Sequence, residues 1–501
     1  MQRVHRRTAV KFLLATAVVT SAAVTGASAA TPVVPIPGTP DQTFTGHAAV
    51  ARPVRNVPTT PHNPYLAPNG DSGIHNDAWQ TNTYRRPGPL GRRPTTISNS
   101  LGSECGSITF DSHGRIVATC IGVRTGLYLI DPKTLATLGY YQLPGRDVQS
   151  IAAHPDPFND FSGGGYFYLD NRDRAVVATH DGHLLVLAEN RDATGFVLRR
   201  SYNITPVLRQ GETLNSALPD SSGRIWFVAK TDGVVGTLAP RSGRIHVMRL
   251  GHGSVGEIEN SFAVGMHRDV YIATNRRLYR FGATSTGRPR VVWSAKYRRI
   301  STTKPGQVDD GTGTTPALLP GGYVAITDNA DPMHVVVYRT AATAPAGRQV
   351  CAVPVFGKGA GDTENSLIAA GRSLIVENNY GYSDPGATSG GRTTTPGFAR
   401  VDIDTGGRGC HRVWTNRTMS GPSVVPKLSL ATGLIYTYTK GTDQTDRWSW
   451  TALSFRTGRR VWSRANGDGL GYNNNYAGIA LNRKGVAYLG VLGGITALRD
   501  G

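Results

Sequence analysis

The chain of 501 residues carries 54 Lys and Arg against 34 Asp and Glu, which gives a formal net charge of +20 at pH 7. The basic residues are spread along the chain in pairs such as Arg85-Arg86 and Arg199-Arg200, and they do not form one stripe with interleaved aromatic residues. This distribution argues against a specific nucleic-acid-binding surface and leaves only loose attraction to anionic cell-wall polymers.

The first residues predict export. A basic start, "MQRVHRRTAVK", is followed by the apolar run "FLLATAVVTSAAVTG" and by small residues that suit a cleavage site before Ala30. We expect residues 1–29 to be a signal peptide and the protein to be secreted, by the general route or, given Arg6-Arg7, by twin-arginine export. The apolar run is short for a membrane span, and no later segment resembles one.

Residues 30–93 differ in composition from the rest. "TPVVPIPGTPDQTFTG" and "RPVRNVPTTPHNP" are rich in Pro, which predicts an extended or partly disordered chain. The stretch "NGDSGIHNDAWQTNTYRR" contains His75, Asp77 and Trp79, which are unusual residues for a bare linker. We therefore expect that stretch to be ordered against the following domain.

A repeated pattern fills residues 94–501. The tripeptide Glu-Asn-Ser occurs at Glu259 and again at Glu364, each time before an apolar strand, a turn and a second strand rich in β-branched and aromatic residues. Similar copies start at Gly106, Ser150, Leu214, Thr314, Ser423 and Tyr476, at spacings of roughly 44 to 64 residues. Four short strands per period predict an all-β fold, an eight-bladed β-propeller, or a seven-bladed one if the irregular Ser150 copy is not a blade.

The last copy, "GVAYLGVLGGITALRDG", ends after three strands. A propeller ring must close, because an open ring leaves exposed sheet edges. We therefore predict that a strand from residues 94–104 supplies the missing outer strand of the last blade.

Four cysteines in an exported chain predict two disulfides, for which three pairings are possible. The absence of Cys-x-x-Cys argues against a zinc knuckle or an attached haem. Cys105 and Cys120 flank one hairpin, whereas Cys351 and Cys410 fall in equivalent outer strands of consecutive blades. We predict the pairs Cys105–Cys120 and Cys351–Cys410.

The segments "TALSFRTGRRVWS" and "GVAYLGVLGGITALRDG" resemble the blade pattern of quinoprotein propellers, the eight-bladed fold of pyrroloquinoline-quinone (PQQ) dependent dehydrogenases. The whole chain is also similar to secreted actinobacterial propeller proteins. The resemblance implies the fold, and it implies PQQ as a cofactor. The adjacent cysteines that lie over the cofactor in the alcohol-type enzymes have no counterpart in this sequence, so we expect Ca²⁺ in preference to PQQ.

Polar residues recur at the starts of predicted inner strands and at the ends of second strands, which meet at one rim of the channel. Two interpretations remain open, because Asn and Asp are also ordinary turn residues that bond nearby main chain. In the functional interpretation the catalytic candidates are His154, Glu259 and Glu364, and the Ca²⁺ ligands are Glu259, Asp328 and Glu364. The ligand-binding candidates are Asn215, Asn260, Asn329, Asn365, Asn378, Asn379 and Asn474. We place Asp170-Asn171 at the same rim and expect few basic residues there.

Three functions are consistent with these observations. The first is a secreted monomer that binds a small polar molecule or a saccharide in its central funnel and uses a metal for hydrolysis, elimination or isomerisation. The second is a PQQ-dependent dehydrogenase. The third is a non-catalytic interaction scaffold at the cell envelope.

Overall fold

The structure is a computed structural model that describes residues 31–38, 42–146, 149, 158 and 160–501. The expected signal peptide and the candidate base His154 lie outside the described residues. The described chain is almost entirely β, with eight antiparallel sheets and four short 3-10 helices, at Thr205–Val207, Thr231–Gly233, Pro385–Thr388 and Leu470–Tyr472. Within these residues no helix is long and apolar enough to cross a membrane.

Blades 1 to 4 follow one another along the chain, with strands in order from the channel outward. Blade 1 consists of Ser103–Phe110, Ile116–Gly122, Gly126–Ile130 and Thr137–Gln142. Blade 2 consists of Phe167–Leu169, Ala175–Ala178, His183–Glu189 and Phe196–Asn203. Blade 3 consists of Leu214–Pro219, Ile225–Ala229, Val234–Leu238 and Ile245–Arg249. Blade 4 consists of Ala263–Val264, Val270–Ala273, Arg277–Ala283 and Pro289–Lys296.

Blades 5 to 8 repeat this arrangement. Blade 5 consists of Ala317–Leu319, Tyr323–Thr327, His334–Arg339 and Gln349–Pro354. Blade 6 consists of Ile368–Ala370, Ser373–Glu377, Phe398–Ile403 and Cys410–Asn416. Blade 7 consists of Lys427–Ser429, Leu434–Lys440, Arg447–Ser454 and Arg460–Asp468. Blade 8 has Ala480–Leu481, Ala487–Val491 and Gly494–Arg499 as its first three strands.

The ring closes as the truncated last repeat predicts. Thr95–Ser100 pairs antiparallel with Gly494–Arg499 over its full length, from Thr95 opposite Arg499 to Ser100 opposite Gly494. This strand is the outer strand of blade 8, so the propeller has eight blades and the seven-bladed alternative is wrong. The chain thereby ties its N-terminal and C-terminal parts into one sheet, which leaves no open edge between blades 8 and 1.

Strands close to the channel are more buried than strands at the outside of the ring. Second strands such as Ile225–Ala229 are buried at every position, whereas the outer strand Phe196–Asn203 is mostly exposed. Between blades the apolar side chains pack face to face, as where Phe110 of blade 1 meets Tyr488 of blade 8 with ring centroids 5.6 Å apart. At the same junction a Cβ on Gly490 would lie 2.0 Å from the main-chain oxygen of Cys105, so only glycine allows this approach.

The Pro-rich extension lies along the ring in an extended conformation. Phe44–Gly46 adds a fifth strand to the outer edge of blade 7, with Phe44 opposite Arg464. The main-chain nitrogens of Arg52 and Val54 then donate to Thr432 and Leu430 at the end of the inner strand of that blade. The extension thus runs from the outside of the ring to one mouth of its channel.

Residues 63–86, called the plug below, cross that mouth and contact the inner part of seven blades. Thr83–Tyr84 pairs parallel with Lys427–Ser429 and forms a sixth strand on blade 7. Other bonds reach blades 2 to 6 and blade 8 through Leu169, Pro219, Val264, Leu318, Ala369 and Leu481. The expectation that the stretch around His75 is ordered against the domain is confirmed.

Both disulfides form as predicted. Cys105 and Cys120 have Cα atoms 3.9 Å apart on the first two strands of blade 1, and Cys351 and Cys410 have Cα atoms 5.8 Å apart on the outer strands of blades 5 and 6. The described residues contain no other cysteine.

Removing each disulfide by a Cys→Ala pair should destabilise the protein by unequal amounts. A cross-link restricts the unfolded chain more when its loop is longer, and the sequence separations are 15 and 59 residues. The loop-entropy relation predicts losses in unfolding free energy of about 3 kcal/mol for Cys105–Cys120 and about 4 kcal/mol for Cys351–Cys410. Urea denaturation of the two variants tests this order, and a larger loss in the Cys105 pair would contradict it.

Candidate functional site

The central channel holds a chamber of about 720 Å³ on the inner side of the plug. Its floor is formed by Ile74 and His75, and its walls come from residues that precede the inner strands of several blades. The lining includes Glu104, Gly106, Asp160, Phe161, Tyr166, Asn260, Glu364, Asn365, Val425, Asn475 and Tyr476. Because small-molecule sites are concave cavities of about 300–1,000 Å³, this chamber is the first candidate for a functional site.

A buried polar network fixes the floor. Asn82 donates through Nδ2 to the main-chain oxygens of Ser366 and Leu367, at 3.3 and 3.1 Å. Its Oδ1 accepts from Lys427 Nζ at 2.5 Å and lies 2.9 Å from His75 Nδ1. Lys427 Nζ also donates to the oxygen of Ile74. One asparagine therefore ties the plug to the inner strands of blades 6 and 7 and orients the ring of His75.

Burial determines the charges at the floor. Desolvation, together with the nearby Lys427, lowers the pKa of His75 to about 3, so the imidazole is neutral at physiological pH. Desolvation also holds the pKa of Lys427 well below its usual range, although the carboxylate of Asp77 opposes that shift. Because Asn82 Oδ1 can only accept, Nδ1 carries the single proton of the neutral ring, and Nε2, which lies 3.4 Å from Ser366 Oγ, is an acceptor.

Three side chains from blades 2, 4 and 6 form a hydrogen-bonded row on one wall. Tyr166 Oη donates to Asn260 Oδ1 at 2.8 Å, and Asn260 Nδ2 donates to Glu364 Oε1 at 3.2 Å. Burial raises the pKa of Glu364 well above its ordinary value, and the negative charges of Glu259 and Asp309 raise it further. Burial and these neighbouring charges therefore favour the protonated form of Glu364.

Glu104 supplies a second carboxyl on another wall. It lies at an irregularity in the pairing of the first two strands of blade 1, directly before Cys105. Its Oε1 accepts from the main-chain nitrogen of Asn475 at 2.7 Å, and its other oxygen accepts no hydrogen bond from the described residues. Burial raises the pKa of Glu104 well above its usual range. Its free oxygen is available to a ligand.

Glu259 is close to Glu364 but is already paired. Its Oε2 lies 2.8 Å from Lys230 Nζ. Burial raises the pKa of Glu259 to about 8, although Lys230 opposes the shift. The expectation that basic residues are scarce at this part of the rim is therefore wrong, because the buried carboxylate needs a counter-charge.

Most of the predicted ligand-binding asparagines join blades to one another. Asn215 Nδ2 donates to the oxygen of Glu259 at 2.5 Å, and Asn365 Nδ2 donates to the oxygens of Ser423 and Val424 at 3.0 and 2.8 Å. Asn379 Nδ2 reaches the oxygen of Pro422, and Asn474 Oδ1 accepts from Ser423 Oγ at 3.3 Å, whereas Asn474 Nδ2 bonds Gly490 within its own blade. These amides satisfy main chain around the ring, which is the structural interpretation of the repeated Asn.

The remaining candidates bond their own loops. Asp328 accepts from the main-chain nitrogen of His334 at 2.7 Å and lies 3.0 Å from its Nδ1, while Asn329 and Asn378 donate to loop carbonyls. Among the described residues no group of three or more His, Cys, Asp or Glu is arranged to hold a metal ion. Of the predicted calcium ligands, Glu259 and Glu364 are neighbours and Asp328 is engaged elsewhere.

The structure corrects the predicted position of Asp170-Asn171. Asp170-Asn171 follows the inner strand of blade 2, not its second strand, so it lies at the plug end of the channel, where Asp170 pairs with Leu66. Because the copy that starts at Ser150 contains an insertion, the strand that was assigned as the second strand of blade 2 is its inner strand.

A smaller cavity of about 350 Å³ lies on the outer side of the plug. Its lining includes Val57, Asp71, Trp79 and the ends of the inner strands of blades 5 to 7. Asp71 binds both guanidinium nitrogens of Arg86, at 2.8 and 3.0 Å, and one nitrogen of Arg483 at 3.1 Å. The pair with Arg483 holds the plug to blade 8, and all three side chains line the outer cavity.

No known family's sequence model matches the chain, and no curated protein matches it in sequence. Solved structures do align with it. A europium-containing methanol dehydrogenase aligns with a TM-score of 0.53 and 12% identity, over 85% of this chain and 89% of the enzyme. A quinohemoprotein alcohol dehydrogenase of Pseudomonas putida HK5 aligns with a TM-score of 0.50 and 10% identity, over 86% and 80%. BamB of Moraxella catarrhalis aligns with a TM-score of 0.49 and 14% identity, over 78% and 95%.

The chain has the quinoprotein-like propeller fold. Identities this low show the fold alone, since one fold carries many functions. The resemblance seen in the last two blades is thus confirmed for the architecture, and the chemistry must be argued from the chamber itself.

The chamber does not fit PQQ. That cofactor is a tricarboxylate, and buried carboxylates need cationic partners. Among the described residues that line the chamber there is no Lys or Arg, whereas Glu104, Asp160 and Glu364 are acidic. The Cys105–Cys120 bridge joins two strands of one blade and is not a pair of adjacent cysteines.

Sequence reasoning missed Glu104, Tyr166, Asp160 and Tyr476. Glu104 falls inside the segment assigned to ring closure, and Tyr166 follows the insertion of blade 2, where the repeat is least regular. A signal for Glu104 exists in hindsight, because it precedes the inner-strand copy "CGSITF" as Glu259 and Glu364 precede theirs.

Proposed function

We propose that the protein is a secreted binding protein that takes a small organic ligand with polar groups into the central chamber. The observation that carries the proposal is the plug, which gives the channel a floor. A propeller channel without a floor is open at both ends, whereas this one forms a cavity of the size typical of small-molecule sites.

The polar groups of the chamber are few and placed on separate walls, which suits recognition of one orientation. Glu364 and Asn260 stand on one wall, Glu104 stands on another, and His75 faces upward from the floor. Their positions are fixed by bonds to main chain or to other side chains, so little is lost on ordering them when a ligand binds. Apolar and aromatic residues fill the space between them and supply the contact area.

Catalysis is a second candidate function, and one observation favours it. Burial raises the pKa of both Glu104 and Glu364, which favours the protonated form that a general acid needs. Hydrolysis, elimination or isomerisation would use such an acid. Ca²⁺ is not needed for this proposal, and the calcium site stays a prediction for metal analysis of the exported protein.

Filling the chamber from its own wall tests the binding proposal. Gly106 lines the chamber, and a Cβ at this position would meet no atom within 4 Å, so the side chain of Gly106→Phe begins in open space at the chamber wall. Gly357→Phe, on an exposed loop where the nearest atom would be 3.8 Å from the new Cβ, is the matched control.

The readout is saturation-transfer NMR with a library of water-soluble fragments. We expect fragments that bind the wild type and Gly357→Phe, and that lose binding at least about tenfold in Gly106→Phe. Both variants should melt near the wild-type temperature. Equal binding by Gly106→Phe of every fragment found would show that the chamber is not the site.

A further inference from the structure

The walls of the chamber carry several carboxyl groups. Glu104, Asp160 and Glu364 line it from blades 1, 2 and 6, and no Lys or Arg stands among its described lining residues. Asp160 already has a counter-charge in Arg146, whose Nη1 lies 3.6 Å from its Oδ2, so Glu104 and Glu364 are the two carboxyls that remain for a ligand. The protein as a whole is basic, with a net charge of +20. The acidic lining is therefore a local property of this cavity.

Aromatic rings stand between the carboxyls. The rings of Phe161 and Tyr476 meet edge to face with centroids 5.6 Å apart, and Tyr166 presents its ring on the wall that carries Glu364. The ring of His75 on the floor lies 6.3 Å from that of Tyr166. Aromatic faces carry negative electrostatic potential and attract cations that come within about 6 Å of the ring centre.

From this combination we propose that the ligand of the chamber is an organic cation, an amine or quaternary ammonium group on an apolar body. The inference rests on the proposed function, because it names the chemical class of the ligand for the same site. An anion would find no Lys or Arg among the described lining residues, whereas a cation would have the carboxyls of Glu104 and Glu364 as partners.

The carboxyls suit such a ligand because they can change charge when it arrives. Glu364 is faced by Glu259 and Asp309, whose negative charges favour its protonated form, and Lys230 is already paired with Glu259. A cation bound beside Glu364 favours the ionised carboxylate, so a proton that the carboxyl holds passes to solvent when the cation binds.

A bound cation should also favour the ionised form of Glu104, which has fewer polar groups around it than Glu364. It is faced by the main-chain nitrogen of Asn475 and by the phenol of Tyr382, and by no basic side chain among the described residues. A bound ammonium can donate to its free oxygen. Two such carboxyls on separate walls permit either a dication or one cation that is held in a defined direction.

The test uses three probes that share one apolar body: 4-tert-butylbenzylamine, 4-tert-butylbenzyl alcohol and 4-tert-butylbenzoate. Titration calorimetry of the full exported chain at pH 7 should give the amine a Kd at least about tenfold lower than the alcohol, with the benzoate weakest. Repeating the amine titration in buffers of different ionisation enthalpy should show that protons are released.

Substitution of the two carboxyls tests whether they cause the preference for the amine. Glu104→Gln and Glu364→Gln should each weaken the amine about tenfold and leave the alcohol within about twofold. Glu257→Gln is the matched control, because Glu257 is on the same side of blade 4 but does not line the chamber, and it should change neither probe. If a variant does not fold, the comparison of the three probes on the wild type still decides whether the protein prefers a cation.

Each outcome separates this inference from the proposed function. Equal affinities for amine and alcohol, both lost in Gly106→Phe, would overturn the preference for cations and leave ligand binding in the chamber standing. Binding of the amine that Gly106→Phe does not affect would overturn both. No amine binding at millimolar concentration would overturn the preference for cations, whichever fragments bind.

Discussion

Replacing Thr95–Ser100 by Gly-Pro-Ser-Pro-Gly-Ser should abolish the cooperative unfolding transition of the propeller. The six residues pair with Gly494–Arg499 along their whole length, and Thr496 Oγ1 also donates to the oxygen of Ile97. Proline cannot donate to a ladder, and the loss of about six hydrogen bonds, at about 1 kcal/mol each, approaches the whole stability of a typical domain. The equal length keeps the plug connected to blade 1.

The control places the same six residues at positions 341–346, an exposed loop between two strands of blade 5. Urea denaturation followed by tryptophan fluorescence compares both variants with the wild type. A closure variant that unfolds in one transition at the wild-type midpoint would mean that Thr95–Ser100 does not hold the ring together.

Asn82→Ala should be the most damaging single substitution in the plug. Asn82 is fully buried, bonds the main chain of Ser366 and Leu367, and accepts from Lys427. Alanine leaves two carbonyls and one amine short of partners, and it must adopt the positive φ of 53°. Unsatisfied buried groups cost 1–3 kcal/mol each, so we expect a loss of about 4 kcal/mol in unfolding free energy.

Asn82→Gly separates the two causes, because glycine adopts a positive φ without strain. We expect Asn82→Gly to lose nearly as much stability as Asn82→Ala, since both lose the side-chain bonds. Hydrogen exchange should also quicken at the main chain near Asn76, which bonds within the plug. Wild-type stability in Asn82→Gly would show that backbone strain, and not the network with Lys427, explains the effect of alanine.

The architecture was predictable because blades repeat. The alternation of apolar residues in each copy determines which face of the blade packs against the next blade. Because the last copy ends after three strands, its third strand, Gly494–Arg499, needs a pairing strand from elsewhere in the chain. The disulfide between Cys351 and Cys410 followed from equivalent positions in consecutive blades. Once the strands of one copy are assigned correctly, the equivalent strands of the other copies follow. The assignment failed in blade 2, where the repeat is irregular.

The candidate site was less predictable, because its key element is not repeated. The plug bonds seven blades mainly through main-chain groups, and main-chain bonding leaves no signature in the residues 63–86. The unusual residues His75 and Asp77 indicated order but not a location. The repeated asparagines were visible in the sequence, yet whether an amide lines the cavity, as Asn260 does, or only bonds the next blade, as Asn215 does, depends on packing.

The most direct test of the central claim is a crystal structure of the full exported chain with 4-tert-butylbenzylamine, the probe expected to bind most tightly. The account predicts electron density for the probe in the central chamber above His75, with its ammonium beside Glu364 or Glu104 and within about 6 Å of an aromatic ring centre. Density for the probe only in the outer cavity beside Trp79 and Asp71, with water alone in the central chamber, would contradict it.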